Sequence, residues 1–335
     1  TDNSSVMSVD SDGNGTTDVQ SAPSGSTFID SDANDGEFVV TTPNGTVFTL
    51  ADDSEAVISD DGTLASLDLN NDGTVDVTVP SGSTVLDNQD GTLTITTSNG
   101  STVTINANSQ ALINDDGSIV SVDSDGDGTL DIQSAPNGST IVDNGATVTT
   151  TTPNGTVVTT LEDSQAIITD DGSSISLNTD GNSNNDIDSA PSGSTIVDNG
   201  ATLQTTTPSG TEVTSLAQAQ AVITDNGTII SVDMDGNGTT DVQSAPSGST
   251  FIDSDANDGE FVVTTPNGTA FTLADDSEAV ITDDGTIATL DLNNDGKGLD
   301  FFIDKKDEVD FDINQKFISW CIGASKEQKK LAVDQ

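Results

Sequence analysis

The sequence predicts an all-β chain: an elongated tandem array of small antiparallel β-sandwich or meander units, with a continuous β-solenoid as the alternative arrangement. Three observations carry that expectation. Turn signals of the Asn-Gly, Asp-Gly and Pro-x-Gly kind recur every nine to eleven residues, and the runs between them are rich in Thr, Val, Ile and Phe. An Asp-rich nine-residue pattern returns at successive spacings of 58, 55, 55, 55 and 58 residues. Short strands between regular turns read as an all-β array, and a fixed long period reads as modules stacked on one another.

The first repeat shows how the strands are assigned. Its turn signals run Pro23-Ser24-Gly25, Asn34-Asp35-Gly36, Pro43-Asn44-Gly45, Asp52-Asp53 and Asp60-Asp61-Gly62. Between them lie Phe38-Val39-Val40-Thr41-Thr42 and Thr46-Val47-Phe48-Thr49-Leu50, β-branched and aromatic runs that suit a pleated, half-buried surface. Asn-Gly and Asp-Gly supply positive φ where it costs least, so neighbouring runs are expected to pair antiparallel. The array divides into a lead-in at 1–9 and repeats at 10–67, 68–122, 123–177, 178–232 and 233–290, followed by a partial repeat and divergent tail at 291–335. Residues 8–73 match residues 231–296 at all but five positions, so a block of four repeats has been copied. The 58-residue repeats carry an acidic insert, Asp30 to Gly36 and Asp253 to Gly259, which reads as an acidic turn or a second cation loop. In the tail, Ile313, Phe317, Trp320, Cys321, Ala324 and Leu331 share one helical face, so a short helix is expected there.

Charge sets the next constraint. The chain has 57 acidic residues, seven Lys, no Arg, no His and no Tyr, for a formal charge of -50. All seven Lys lie at or beyond Lys297, so no side-chain salt bridge can form within the first 296 residues. Crowded carboxylates without basic partners repel one another and oppose a compact state unless cations intervene. Nucleic acid is excluded as a partner on the same ground, because binding to phosphates depends on Lys and Arg. No run of apolar residues is long enough to span a bilayer. A single Cys rules out a disulfide framework within the chain. Catalysis finds no support either: His is missing, the sole Cys lies in the tail, and carboxylate pairs lack the aromatic platforms that a glycosidase cleft uses.

The recurring Asp pattern supplies the candidate site. It is clearest at Asp123, Asp125, Asp127 and Asp131, with Gly126 and Gly128 between them. The other loops are Asp10, Asp12, Asn14 and Asp18; Asp68, Asn70, Asp72 and Asp76; Asn178, Asp180, Asn182 and Asp186; and Asp233, Asp235, Asn237 and Asp241, while a sixth start at Asp291, Asn293 and Asp295 is broken by Lys297 and is not expected to bind. Oxygen donors at positions one, three, five and nine can converge where glycine lets the backbone turn, and a hard cation takes roughly six to eight oxygens at about 2.3–2.6 Å. Calcium is therefore the expected cofactor, and millimolar calcium is an extracellular condition.

The loop Asp-x-Asp-Gly-Asp-Gly-x-x-Asp resembles the calcium loops of thrombospondin type 3 repeats and of dockerin and EF-hand modules. It departs from an EF-hand at position twelve, where Ser21, Ser134, Ser189 and Ser244 stand in place of a bidentate Glu. The wider pattern of acidic, Thr-rich β-repeats looks like the calcium-dependent repeat regions of large bacterial and archaeal surface adhesins. That resemblance implies a rigid adhesin stalk, or a surface filament or matrix subunit, that associates with itself or with a cell-surface partner. A ligand-binding module for glycan or ice through Thr-rich strand faces, such as Thr149 to Thr152, is the alternative. The Asn-Gly-Ser/Thr triplets match glycosylation acceptors, but hairpin chemistry explains them equally.

Overall fold

The computed structural model describes residues 8–291, apart from positions 11–12, 31–35, 52–53, 60–63, 71–72, 89, 107, 115–118, 162, 170–174, 180–183, 225–228, 254–258, 275–276 and 283–286. The expected helix at 313–331 and the change of composition at Lys297 lie outside the described residues. Every repeat contributes six strands, and no helix occurs among the described residues.

In the first repeat these are β1 (Val19–Ser21), β2 (Thr27–Ile29), β3 (Glu37–Thr41), β4 (Val47–Ala51), β5 (Glu55–Ile58) and β6 (Leu64–Asp68). The second holds β7 (Val77–Pro80), β8 (Thr84–Asp87), β9 (Thr92–Thr96), β10 (Thr102–Asn106), β11 (Gln110–Ile113) and β12 (Ile119–Asp123). The third holds β13 (Ile132–Ser134), β14 (Thr140–Asp143), β15 (Thr147–Thr151), β16 (Val157–Leu161), β17 (Gln165–Ile168) and β18 (Ile175–Asn178). The fourth holds β19 (Ile187–Ser189), β20 (Thr195–Asp198), β21 (Thr202–Thr206), β22 (Glu212–Leu216), β23 (Gln220–Ile223) and β24 (Ile229–Asp233). The fifth holds β25 (Val242–Ser244), β26 (Thr250–Ile252), β27 (Glu260–Thr264), β28 (Ala270–Ala274), β29 (Glu278–Ile281) and β30 (Ile287–Asp291).

Each repeat is one coil of a β-solenoid. β1 lies in one sheet, the turn at Pro23-Ser24-Gly25 moves the chain to the other, and β2, β3 and β4 meander there. The chain then returns for the hairpin β5–β6. Registers follow the hydrophobic alternation: Phe38 faces Leu50 and Val40 faces Phe48 across β3–β4, while Ala56 faces Leu67 across β5–β6. These residues are buried, and the positions between them face outward.

The contacts between coils settle which of the two arrangements the chain takes. β4 pairs in parallel with β8, with Val47, Phe48 and Thr49 opposite Thr84, Val85 and Leu86. β6 pairs antiparallel with β7, and β1 runs parallel to β5. Repeats within a compact unit therefore share continuous sheets, the solenoid arrangement, and are not separate sandwiches. The parallel pairs were invisible to turn chemistry, because a hairpin signal reports only the next strand and these partners lie 36–37 residues apart. Coils are also pinned through their Pro-x-Gly turns. The Gly82, Gly138 and Gly193 N–H groups donate to hydroxyls of the preceding coil, Thr46 Oγ1, Ser101 Oγ and Thr156 Oγ1, at 2.8, 2.9 and 2.9 Å.

The chain forms two compact units, Thr1–Asn185 with Ser192–Asp198, and Asp186–Pro191 with Asn199–Gln335. In the first, one sheet runs β1-β5-β6-β7-β11-β12-β13-β17-β18 and the other β2-β3-β4-β8-β9-β10-β14-β15-β16-β20. In the second, the corresponding orders are β19-β23-β24-β25-β29-β30 and β21-β22-β26-β27-β28. The core is not uniform. Val40 and Leu50 fill it in the first repeat beside Phe38 and Phe48, whereas Thr150 and Thr160 stand at the positions of Val40 and Leu50 in the third, and the Thr150 hydroxyl is buried with no partner.

Candidate metal loops

The Asp loops at Asp68, Asp123 and Asp233 are each the connection of an antiparallel hairpin joining the last strand of one repeat to the first strand of the next. Leu67 faces Val77 across the loop at Asp68, Val122 faces Ile132 across the loop at Asp123, and Val232 faces Val242 across the loop at Asp233. The first and ninth positions thus fall at the strand ends, where the sheet buries them. Asp123 is 2 % exposed, Asp131 1 %, Asp233 6 % and Asp241 0 %. The third and fifth positions project further out, with Asp125 and Asp127 exposed.

A common set of hydrogen bonds shapes the loops. The first carboxylate accepts from two glycine amides: Asp123 Oδ1 from Gly126 N at 2.7 Å and Oδ2 from Gly128 N at 2.9 Å. Asp233 does the same with Gly236 N and Gly238 N, at 2.8 and 2.7 Å, and Asp10 with Gly13 N and Gly15 N. The ninth carboxylate clasps the amide that follows the first, through Asp131 to Ser124 N, Asp241 to Met234 N and Asp76 to Leu69 N. The glycines are required by position. Gly126 and Gly236 hold φ of +74° and +69°, and a Cβ on either would run into the backbone carbonyl of Asn108 or Gln218.

This places the sequence-predicted donors as follows. The carboxylates of Asp123, Asp125 and Asp127 converge, with oxygens within 4.8 Å of one another. Asp233, Asp235 and Asp241 converge in the same way. Asp131 sits at the base of its loop and is not in that triad, and Asn237 bonds to Asp235 through both its amide N–H and its side-chain Nδ2, at 2.9 and 2.8 Å. In the loop from Asp10, Asp18 is buried and Asn14 exposed. Asp68 and Asp76 are buried at the ends of theirs, and Asn70 is exposed. Asn178 is half-buried and Asp186 buried. Asp12, Asp72, Asp180 and Asn182 lie outside the described residues.

The electrostatics follow from burial without a counter-charge. Burial pushes the Asp131 carboxyl up to about 6; its bonds to Ser124 oppose that rise, and the charges of Asp125 and Asp123 add to it. Burial likewise raises Asp123 against its bonds to Gly128 and Gly126, with a further push from Asp125. Asp233 is raised by burial, opposed by Gly238, and Asp235 adds to the rise. Such carboxylates favour a nearby cation. The donor set is all oxygen, with no His or Cys sulfur, which suits a hard divalent ion and not a soft one. A carboxylate offers about four lone-pair sites, so oxygens already holding an amide retain capacity for an ion.

One feature escaped sequence reasoning. Asp143, at the end of β14, is buried and accepts from Asn106 Nδ2 at 2.6 Å and Ser109 Oγ at 3.1 Å, and Ser109 Oγ also reaches Ser124 O in the loop at Asp123. The network ties the loop to the opposite sheet. Its signal, Asp143-Asn144-Gly145, reads as an ordinary turn; the related contact of Ser164 Oγ with Asp198 Oδ2 at 2.8 Å shows that it recurs.

No family model matches the chain, and no curated protein matches it. Among solved structures, the computationally designed Ika8 protein is similar at 11 % identity over 74 % of this chain and 82 % of that one, with a TM-score of 0.21. The TCP10 domain of Danio rerio CPAP, in complex with a peptide of Danio rerio STIL, is similar at 17 % identity over 73 % and 97 %, with a TM-score of 0.16. Kluyveromyces lactis Hsv2 follows at 11 % identity over 72 % and 71 %, with a TM-score of 0.19. Likenesses this slight carry no argument about the chain.

Proposed function

We propose that the protein is an extracellular, calcium-binding structural repeat array, acting as an adhesin stalk or as a subunit of a surface filament or matrix. The observation that carries the reading is the convergence of Asp123, Asp125 and Asp127, and of Asp233, Asp235 and Asp241, within hairpins that join consecutive repeats. Residues 1–296 hold no basic side chain to balance them. An ion there offsets the buried charge and ties one coil to the next, and in a stacked array such junction terms add along the chain. Several weak sites then matter together: a site with a dissociation constant of about 10⁻⁴ M contributes roughly 1.4 kcal/mol in about 1 mM calcium.

Thermal unfolding followed by circular dichroism at low salt tests this. The midpoint is expected to rise in calcium and fall in chelator, with magnesium giving the smaller effect. An unchanged midpoint would reduce the loops to acidic turns.

A second reading, a glycan- or ice-binding face, draws on the outer surface of the sheet containing β9, β10, β15 and β16. Its central outward positions pair as Thr94 with Thr104 and Thr149 with Thr159, hydroxyl to hydroxyl at 3.3 and 3.2 Å. Replacing Thr149 and Thr151 by Val is expected to abolish binding to ice or polysaccharide under this reading.

A further inference from the structure

Asn237 is followed by Gly238, and the surroundings of this pair differ from those of the hairpin Asn-Gly pairs. Three groups converge on the atoms that would react if Gly238 N attacked the Asn237 side chain. Gly238 N donates to Asp233 Oδ2 at 2.7 Å, so the proton that must leave the nitrogen already points at a carboxylate. Asn237 Oδ1, the oxygen that gains negative charge in a tetrahedral intermediate, accepts from Thr239 N at 2.7 Å and from Thr239 Oγ1. Asn237 Nδ2, the leaving nitrogen, donates to Asp235 Oδ2 at 2.8 Å. A proton acceptor on the nucleophile and two donors on the developing oxyanion are the arrangement that acyl-transfer chemistry uses.

We propose that Asn237 is a self-catalysed deamidation site that converts the fifth position of this loop from amide to carboxylate. Gly238 N attacks Asn237 Cγ and its proton passes to Asp233 Oδ2. The Cγ–Nδ2 bond then breaks, and Nδ2 takes a proton and leaves as ammonia. The five-membered imide that remains is opened by water, at Cγ to give an aspartate or at the backbone carbonyl to give its isoaspartyl isomer. The chain needs only water. The aspartate product carries the donor pattern of the loop Asp123, Asp125, Asp127 and Asp131, so a weaker cation loop becomes a stronger one after synthesis. Gly238 has a φ of +86° and nothing within 4 Å of where a Cβ would stand, which leaves room for the ring. The copied loop repeats the arrangement at Asn14, with Gly15 N to Asp10 Oδ2 at 3.1 Å and Asn14 Oδ1 accepting from Thr16 N at 2.7 Å.

The chain supplies its own control. Asn267 Oδ1 also accepts from a following threonine, Thr269 N at 3.1 Å and Oγ1 at 2.9 Å, but Gly268 N donates to the Thr265 carbonyl, which takes no proton. Asn267 Oδ1 also accepts from Thr265 Oγ1 at 2.5 Å, so the control is the better supplied with donors on that oxygen and lacks the carboxylate on the glycine nitrogen.

The test is a time course of the full chain at neutral pH in chelator, with peptide mass mapping of ammonia loss. Asn237 is expected to convert at least about tenfold faster than Asn267. Asp233→Asn is expected to remove that excess and leave Asn267 unchanged; since a loosened loop would speed the reaction, a slower rate cannot come from local unfolding. Thr239→Val is expected to slow Asn237, and Thr239→Ser to restore it. Equal rates at Asn237 and Asn267, or an undiminished rate in Asp233→Asn, would overturn the proposal. Only the consequence for the ion rests on the calcium reading. Saturating calcium, by engaging Asp233, is expected to slow conversion; no slowing would count against calcium at this loop while the modification stood.

Discussion

The loops at Asp123 and Asp233 share a hairpin, two glycine amides on the first carboxylate and a ninth-position clasp, yet they gather different triads. In the first loop positions one, three and five converge; in the second, positions one, three and nine. The loops differ at the fifth residue and also at the second, where Ser124 Oγ donates to Asp131 and Met234 has no hydroxyl to offer. Asp127 is a carboxylate that can only accept, and it takes the Thr129 N–H at 2.6 Å, whereas Asn237 spends its Nδ2 on Asp235 and brings an amide donor into the cluster. With an amide at the fifth position, the first, third and ninth residues are the carboxylates left to hold an ion there, while the two glycine amides and the ninth-position clasp are the same in both loops.

The largest effects should come from that shared scaffold. Gly126→Ala and Gly236→Ala are each expected to lose about 3 kcal/mol or more of local stability, from positive φ together with collision against the Asn108 or Gln218 carbonyl. Gly13→Ala has the same kind of φ, +73°, but nothing within 4 Å, so only the strain remains and the loss should be about 1–2 kcal/mol. Chemical unfolding of the three variants measures this. Equal losses at all three would break the idea that the loops pack on the neighbouring backbone.

Next in size is the buried charge of Asp131. Its folded value of about 6 lies above the ordinary 3.8, so between those two values the folded chain binds more protons than the unfolded one. In chelator, stability is therefore fully expressed below about pH 4, falls as pH rises to about 6 and levels off above, a loss on the order of 3 kcal/mol. Calcium held by Asp123, Asp125 and Asp127 should weaken the trend, because it offsets the charges of Asp125 and Asp123 that help to raise Asp131. Asp131→Asn keeps an oxygen for the Ser124 amide and should flatten the profile. A profile in chelator that rises between pH 4 and 6 would contradict the burial of this group.

Much of this was legible in the chain. Asn-Gly, Asp-Gly and Pro-x-Gly turns marked off the strands, and alternation such as Phe38, Val40, Phe48 and Leu50 chose the buried face. The period placed every Asp loop at a repeat boundary. Continuity between coils was not legible beyond an alternative, because parallel pairs such as Phe48 with Val85 join distant residues through backbone bonds that depend little on side-chain identity. The Asp loops were readable as sets of oxygen donors in sequence but not as geometry. Asp123 and Asp131 carry the same letter, and only the hairpin makes the first a triad member and the second a clasp on Ser124. Asp143 was missed because nothing local separates a buried carboxylate held by Asn106 and Ser109 from a solvated turn residue.

A finer effect comes from removing one outward donor. Asp125 belongs to a triad, whereas Asn178 offers an amide, and a hard cation gains more from a carboxylate. In calcium, Asp125→Ala should therefore lower the midpoint of unfolding more than Asn178→Ala, and in chelator the two should converge. Equal shifts in calcium would argue against Asp125 as a ligand.

The smallest expected change is also the sharpest on the comparison itself. Exchanging the fifth residues, Asp127→Asn in one loop and Asn237→Asp in the other, alters neither the glycine amides nor the ninth-position clasp. If the fifth residue sets the strength of each loop, calorimetric titration should show calcium binding weakened in the first variant and strengthened in the second, each by about tenfold or about 1.4 kcal/mol. The double variant should return the chain close to its starting total affinity with the strong and weak loops interchanged. Losses in both single variants would mean that each fifth residue is fitted to its own surroundings, and the difference between the triads would then lie in neighbours such as Ser124 and Met234.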